Sequence, residues 1–226
     1  MSEKITAVVP VRAGSVRVKD KNTRPFGDTS LLELKLDVLQ EVHGIDEIIV
    51  NTDCPISESI AHDRGLTVHR RDRKFADSKV TNDVHWRHLA EVTQTDALLM
   101  AQTTSPLVRR KTYEQAIALF RNRNDNFDSV NSVTLEKKFL WLAGRPLNYQ
   151  REKTPKSQEL PDIVSLNFAI TLIDRDLMYN QRNVVGYKPR FITLDSVESV
   201  DVDEWMDFEF AEFLYQKRGM QHLIEA

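Results

Sequence analysis

The sequence predicts an α/β fold, a mostly parallel sheet flanked by helices with one small excursion from it. Three observations point there. Short β-branched runs alternate with helically spaced apolar positions from residue 5 to residue 135, and such alternation marks a parallel sheet joined by helical crossovers. The chain has 226 residues, enough for one domain with a full core. Apolar residues make up 41% and charged residues 29%, ordinary globular usage rather than that of a disordered chain.

The elements follow in order. Residues 5–11 form a short β-branched run before Gly14 and read as a buried strand feeding a loop. Residues 31–42 carry Leu32, Leu36 and Leu39 at helical spacing behind Ser30, a good N-cap. A strand is expected at 47–52, ended by Asp53 and Pro55, then a helix at 56–64 stopped by Gly65, and a short strand at 66–69. A helix at 82–93, a strand at 97–101, a helix at 111–123 and a strand at 129–135 continue the alternation. The pattern breaks at 139–161, where Pro146, Pro155 and Pro161 flank a polar run, the mark of a long loop or excursion. Strands are expected again at 164–173 and 190–194, and an amphipathic helix at 205–217.

Composition also excludes. A net charge of −3 argues against a general nucleic-acid binder. Cys54 is the one cysteine, so no internal disulfide forms. No apolar run approaches a membrane span, and the first residues lack a signal peptide's apolar stretch, so a cytoplasmic location without membrane partners is expected. A dehydrogenase reading fails for want of a glycine fingerprint.

After the first strand, residues 10–22 place Arg12, Arg17, Lys19 and Lys21 around Gly14 and Ser15. Small residues let backbone amides approach an anion, and the cations would neutralise a triphosphate. The loop leaves the carboxyl end of a strand, where α/β sheets bind ligands. It is not a Walker A loop. On composition alone, a solvated basic loop accounts for it equally well.

The string Arg12-x-Gly14-Ser15-x-Arg17 followed by Lys21-Asn22 resembles the signature of the acylneuraminate cytidylyltransferases, which make CMP-sialic acid and relatives such as CMP-Kdo. Val16 stands where that family often has Lys, and Lys19-Asp20 where it often has Pro-Gly. The resemblance implies a Rossmann-like nucleotidyltransferase sheet over residues 1–226, with 139–161 as an excursion serving dimerisation or the acceptor side. It implies that Arg12 and Lys21 hold the triphosphate of CTP, with Gly14, Ser15, Arg17 and Asn22 near the nucleotide. Residues 47–53 are similar to the family's second strand. Arg71 matches an arginine near the cytosine. Residues 76–83 replace a pattern rich in Ser and Thr, so Thr81 and Asn82 are either base or ribose contacts or simply a capped helix start.

Residues 101–107 (AQTTSPL) resemble the family's Q-P-T-S-P-L. Gln102, Thr104 and Ser105 offer an amide and hydroxyls to sugar hydroxyls or a carboxylate; a plain strand-to-helix turn uses the same residues. Residues 199–203 (SVDVD) resemble S-I-D-I-D. Alternation puts Asp201 and Asp203 on one face, and a hard dication, Mg²⁺ or Mn²⁺, relieves their repulsion while using phosphate oxygens for its remaining ligands. A polar strand edge is the plainer account of two such residues.

The resemblance implies attack of an acidic acceptor's anomeric hydroxyl on the α-phosphorus of CTP, with Arg12, Lys21 and an ion at Asp201 stabilising the charge that develops. No histidine is assigned as base; His85 and His88 fall on an expected helix and read as structural or exposed. Residues 165–173 resemble R-x-N-G-A-I-Y-I in a strand facing the sugar acid and the dimer partner, with Asn167 and Ala169 matching. Ser165 replaces the arginine and Phe168 the glycine. The expected acceptor is therefore not sialic acid itself, and Arg151, Lys153 or Lys156 stand as replacement cations. Two alternatives remain: CTP with another anionic acceptor such as a phosphonate, and a non-catalytic nucleotide-binding protein.

Overall fold

The structure is a computed structural model that describes residues 3–76, 79–124 and 126–225. Strand β1 (Ile5–Val11) is buried almost throughout. Helix α1 (Leu31–Gln40) starts at Ser30, whose Oγ accepts from the Glu33 amide as the sequence suggests. The chain continues through β2 (Glu47–Thr52), α2 (Pro55–Asp63) and β3 (Thr67–Arg70). A four-residue helix α3 (Arg73–Ala76), absent from the sequence reading, precedes α4 (Asn82–Val92). Then come β4 (Ala97–Ala101), α5 (Arg110–Arg121) and β5 (Ser129–Glu136).

The excursion after β5 contains a hairpin of β6 (Trp141–Leu142) and β7 (Arg145–Pro146). Ala143 and Gly144 turn it, at φ 49° and 77°, the paired left-handed geometry of a tight hairpin turn. Tyr149 packs edge-on against Phe139 at 5.0 Å. The chain returns as β8 (Ile163–Asp174), followed by α6 (Arg175–Gln181), β9 (Pro189–Thr193) and α7 (Trp205–Glu225). The sequence reading gave no α6 and ended the last helix at residue 217; α7 runs on across a kink at Gly219, φ 76°.

The seven strands of the main sheet are ordered β3-β2-β1-β4-β8-β5-β9. Every pairing is parallel except those of β8, which runs antiparallel to both β4 and β5. Helix α5 follows β4 and packs on β5 and β8. The larger apolar core gathers α1, α5 and α7 with the strands, while a smaller one unites Val8, Leu89, Leu98, Met100 and Met178. Among the described residues no helix is long and apolar enough to cross a membrane.

One departure lies in β8. Its register against β5 shifts between Asn131 and Val133, leaving Ser132 opposite a widened stretch. Ser132 Oγ donates to Asn167 and accepts from the Ile170 amide at 2.8 Å, stitching the bulge. Within it Phe168 holds φ 55°, a left-handed conformation that favours glycine. Phe168 thus carries a bulky side chain on a backbone conformation that glycine adopts more readily.

Candidate active site

The parallel strands deliver one residue each to a common edge. Arg12 follows β1, Asp53 follows β2, Arg71 follows β3 and Gln102 follows β4. The order of the sheet reverses between β1 and β4, and ligands of such sheets bind at this crevice. A cavity of about 230 Å³ opens there.

The loop after β1 forms one wall. The Ala13 amide donates to Asp53 at 2.8 Å, which anchors the loop to β2. Arg12, Ser15, Arg17, Lys21 and Asn22 all line the cavity. Asn22 accepts a hydrogen bond from the Thr103 hydroxyl at 2.8 Å, tying the loop to the turn after β4. Lys21 donates through Nζ to the Val202 carbonyl. Burial lowers the Lys21 pKa, and the nearby Asp203 and Asp201 charges oppose that fall.

The segment before α7 forms the facing wall. Val202 is fully buried, and its amide donates to Thr104 at 2.7 Å. Asp201 and Asp203 flank it in an extended segment that belongs to no strand. Asp203 lines the cavity and pairs with Arg17 at 2.8 Å. Asp201 stands outside the lining set, with the Thr104 hydroxyl close to its carboxylate. Loss of hydration raises its pKa; the Thr104 hydroxyl opposes the rise, and the Asp203 charge adds to it. Asp207, in the first turn of α7, accepts from the Asp203 and Glu204 amides at 3.0 and 2.8 Å and fixes the segment.

Arg71, His85 and Gln102 also line the cavity. Arg71 donates through Nε to Asn51 Oδ1 at 2.6 Å and through Nη2 to the Asn51 carbonyl at 2.9 Å. Burial lowers its pKa to about 10. His85 was missed by the sequence reading as a cavity residue; only its place on α4 beside a β3 terminus distant in sequence reveals it.

Several sequence candidates fall elsewhere. Gly14, φ 71°, faces a side cleft. Ser105 is buried beneath the cavity, and its carbonyl accepts from the buried Lys35 ammonium at 2.8 Å. Thr81 and Asn82 are exposed at the start of α4 and do not line the cavity. Asp77 and Ser78, in the same divergent segment, lie outside the described residues. Ser165 is exposed and donates to Glu136 at 2.9 Å. Asn167 holds the bulge of β8, and Phe168 leans toward Trp86 with ring centroids 6.4 Å apart. Arg151, Lys153 and Lys156 are exposed on the excursion and do not reach the cavity lining.

Comparison with known proteins adds the following. A family model described as cytidylyltransferase matches residues 6–225. N-acylneuraminate cytidylyltransferase of Escherichia coli O18:K1:H7 is 24% identical over 99% of this chain, but the chain spans only 55% of that protein's length. CMP-N,N'-diacetyllegionaminic acid synthase of Legionella pneumophila is 23% identical, with 94% of this chain and 97% of that protein covered. A solved CMP:2-keto-3-deoxy-manno-octonic acid synthetase in complex with CTP superposes with a TM-score of 0.70 at 16% identity, covering 96% of this chain and 100% of the other. At that identity the likeness concerns the fold.

Proposed function

The chain belongs to the cytidylyltransferase family, and from that premise we propose that it transfers CMP from CTP to an acidic sugar, a nonulosonic or related 3-deoxy sugar acid, with release of pyrophosphate. One observation carries the reading. The cations Arg12, Arg17 and Lys21 face Asp203 across a single cavity at the switch point of the sheet, the arrangement a metal-bound triphosphate needs.

In this reading the acceptor hydroxyl gives up its proton to water as its oxygen attacks the α-phosphorus, and the pyrophosphate leaves with the bonding pair. Negative charge grows on the phosphoryl oxygens and on the leaving group. In this reading Arg12, exposed at the cavity, and Lys21, partly withdrawn from water, meet that charge. Lys21 is held by the Val202 carbonyl, so it needs little reorganisation as charge develops.

The residues present fit a divalent cation. The Asp203 charge adds to the cost of ionising Asp201, and among the described residues no group of three or more His, Cys, Asp or Glu side chains forms a complete cage. Two carboxylates completed by phosphate oxygens and water are the donor set that Mg²⁺ takes, and Mn²⁺ accepts it too. When bound, the ion would neutralise phosphate charge. Arg17 would then exchange Asp203 for a phosphate oxygen.

We read the excursion as the dimer contact. Trp141, Leu142 and Leu147 are 51%, 67% and 58% exposed on its hairpin, and apolar groups gathered in this way mark an interface. Needing CTP, the enzyme belongs in the cytoplasm. The test is a pyrophosphate-release screen with CTP and Mg²⁺ against acidic sugars and phosphonates. Release that depends on an acidic sugar supports the reading; release with phosphonates alone transfers it to another acceptor class; and no release with any acceptor, from protein that binds CTP, overturns it in favour of a nucleotide-binding role.

A further inference from the structure

Glu198 is a buried carboxylate, 3% exposed, that the proposed mechanism does not use. It accepts three hydrogen bonds from the start of α5: from the Arg109 amide at 2.9 Å, from Arg109 Nη2 at 2.7 Å and from the Thr112 hydroxyl at 2.6 Å. Arg109 stands at the N-cap of α5 and makes no side-chain cap bond itself, so a carboxylate 89 positions away caps the helix. The cap also fixes the segment that carries it. The chain leaves the sheet after Leu194, whose amide donates to the Val133 carbonyl at 2.9 Å. From there to α7 it belongs to no strand, so sheet pairing does not position Asp201 and Asp203. Within 195–204 only Glu198 and Val202 are buried.

Both of these anchors lead back to α5. Glu198 reaches it directly. The Val202 amide donates to the Thr104 carbonyl at 2.7 Å, and the carbonyl of the next residue, Ser105, accepts from Lys35 Nζ at 2.8 Å. Lys35 also donates to the Tyr113 hydroxyl on α5 at 2.7 Å, and the Glu198 charge counteracts its loss of hydration. Asp195 Oδ1 accepts from the Val197 and Glu198 amides at 2.9 Å each and holds the turn that aims Glu198 inward. Resting on the reading of Asp201 and Asp203 as ligands of a divalent cation, we propose that Glu198 is a positioning residue: pinned to the start of α5, it fixes the extended segment that presents the two carboxylates to the ion. Side chains that orient metal ligands raise affinity because the ligands need no ordering when the ion binds. Without Glu198, Val202 is the one buried anchor left to the segment.

Isothermal titration of CTP into the intact chain, once with Mg²⁺ and once in chelator, tests the assignment without an acceptor. In the unaltered protein Mg²⁺ should tighten CTP binding. Glu198→Ala should reduce that tightening about tenfold, the lower end of what removing a side chain that orients metal ligands costs, and leave binding in chelator unchanged. Glu198→Gln keeps an acceptor for the Arg109 amide and should retain most of the Mg²⁺ effect. Equal weakening with and without Mg²⁺, or an undiminished Mg²⁺ effect in Glu198→Ala, would overturn the assignment while leaving the metal reading intact. Absence of any Mg²⁺ effect in the unaltered protein overturns both. Should Glu198→Ala fail to fold, Thr112→Val decides, since it removes one of the three bonds and keeps the side chain's shape: a reduced Mg²⁺ effect with unchanged binding in chelator supports the proposal, and an unreduced one refutes it.

Discussion

The Arg17 guanidinium lies 2.8 Å from the Asp203 carboxylate, 186 positions away in sequence. Their side chains are 61% and 49% exposed, so the pair contributes little to stability and exchanges readily. It joins the two halves of the site while leaving both able to change partners.

The proposed mechanism gives the carboxylates Asp201 and Asp203 a part in catalysis, and the exposure of the Arg17–Asp203 pair gives that contact little part in folding. Asp201→Asn and Asp203→Asn are each expected to lower the rate on the order of 10²-fold, with little change in melting temperature. Excess chelator should abolish activity, and Mg²⁺ or Mn²⁺ should restore it. Full activity of Asp201→Asn in chelator would remove the metal from the account.

Lys35 gives a pH signature. It is fully buried, donates to the Ser105 carbonyl and the Tyr113 hydroxyl, and its pKa falls to about 7 through burial, opposed by the Glu198 charge. Below pH 7 the ammonium is charged in both folded and unfolded chains and its burial cost is present in full. Between about pH 7 and the ordinary lysine value of 10.5, the unfolded chain holds the proton that the folded chain has lost, so stability from this residue rises with pH. The difference in unfolding free energy between the wild type and Lys35→Met should move toward the wild type across that window. Urea titrations at several pH values would show it; a flat difference would mean that Lys35 titrates normally.

The hairpin of the excursion is expected to hold a second copy of the chain. Leu142→Glu, on the hairpin beside the turn at Ala143 and Gly144, places a charge in a contact that would otherwise be apolar. Light scattering should show the wild type as a dimer and the variant as a monomer at micromolar concentration. A monomeric, fully active wild type would refute the assignment.

The expected acceptor contacts of Ser165 and Phe168 on β8 are tested by the choice of acceptor. Ser165 offers no cation, and losing a charge-assisted hydrogen bond costs roughly 1.5–3 kcal/mol. N-acetylneuraminic acid is expected to be a poor substrate. Phe168→Gly should relieve a left-handed strain of about 1–2 kcal/mol, partly offset by the lost contact with Trp86. Ser165→Arg combined with Phe168→Gly should improve the sialic acid reaction, although Glu136 beside position 165 will draw on the new cation. Steady-state kinetics would settle it: a wild-type kcat/KM of about 10⁴ M⁻¹s⁻¹ or above for N-acetylneuraminic acid would make the departure neutral.

Local chemistry made much of this legible in the sequence. The β-branched run of Ile5–Val11, the Ser30 cap and the cations beside Gly14 declare themselves through neighbours a few positions away. Periodicity also located β4 and α4 with little error, because burial on one face imposes a repeat along the chain. The direction of β8 did not declare itself, since an antiparallel strand buried on both sides reads like a parallel one. Nor did the place of His85, the retreat of Thr81 and Asn82 from the cavity, or the Arg17–Asp203 pair. Those depend on contacts between residues far apart in sequence, and only tertiary packing determines which loops share one edge of a sheet. Phe168 shows the division within a single residue: the sequence reveals the bulky side chain, and the bulge of β8 alone determines that it sits at a glycine's dihedral angles.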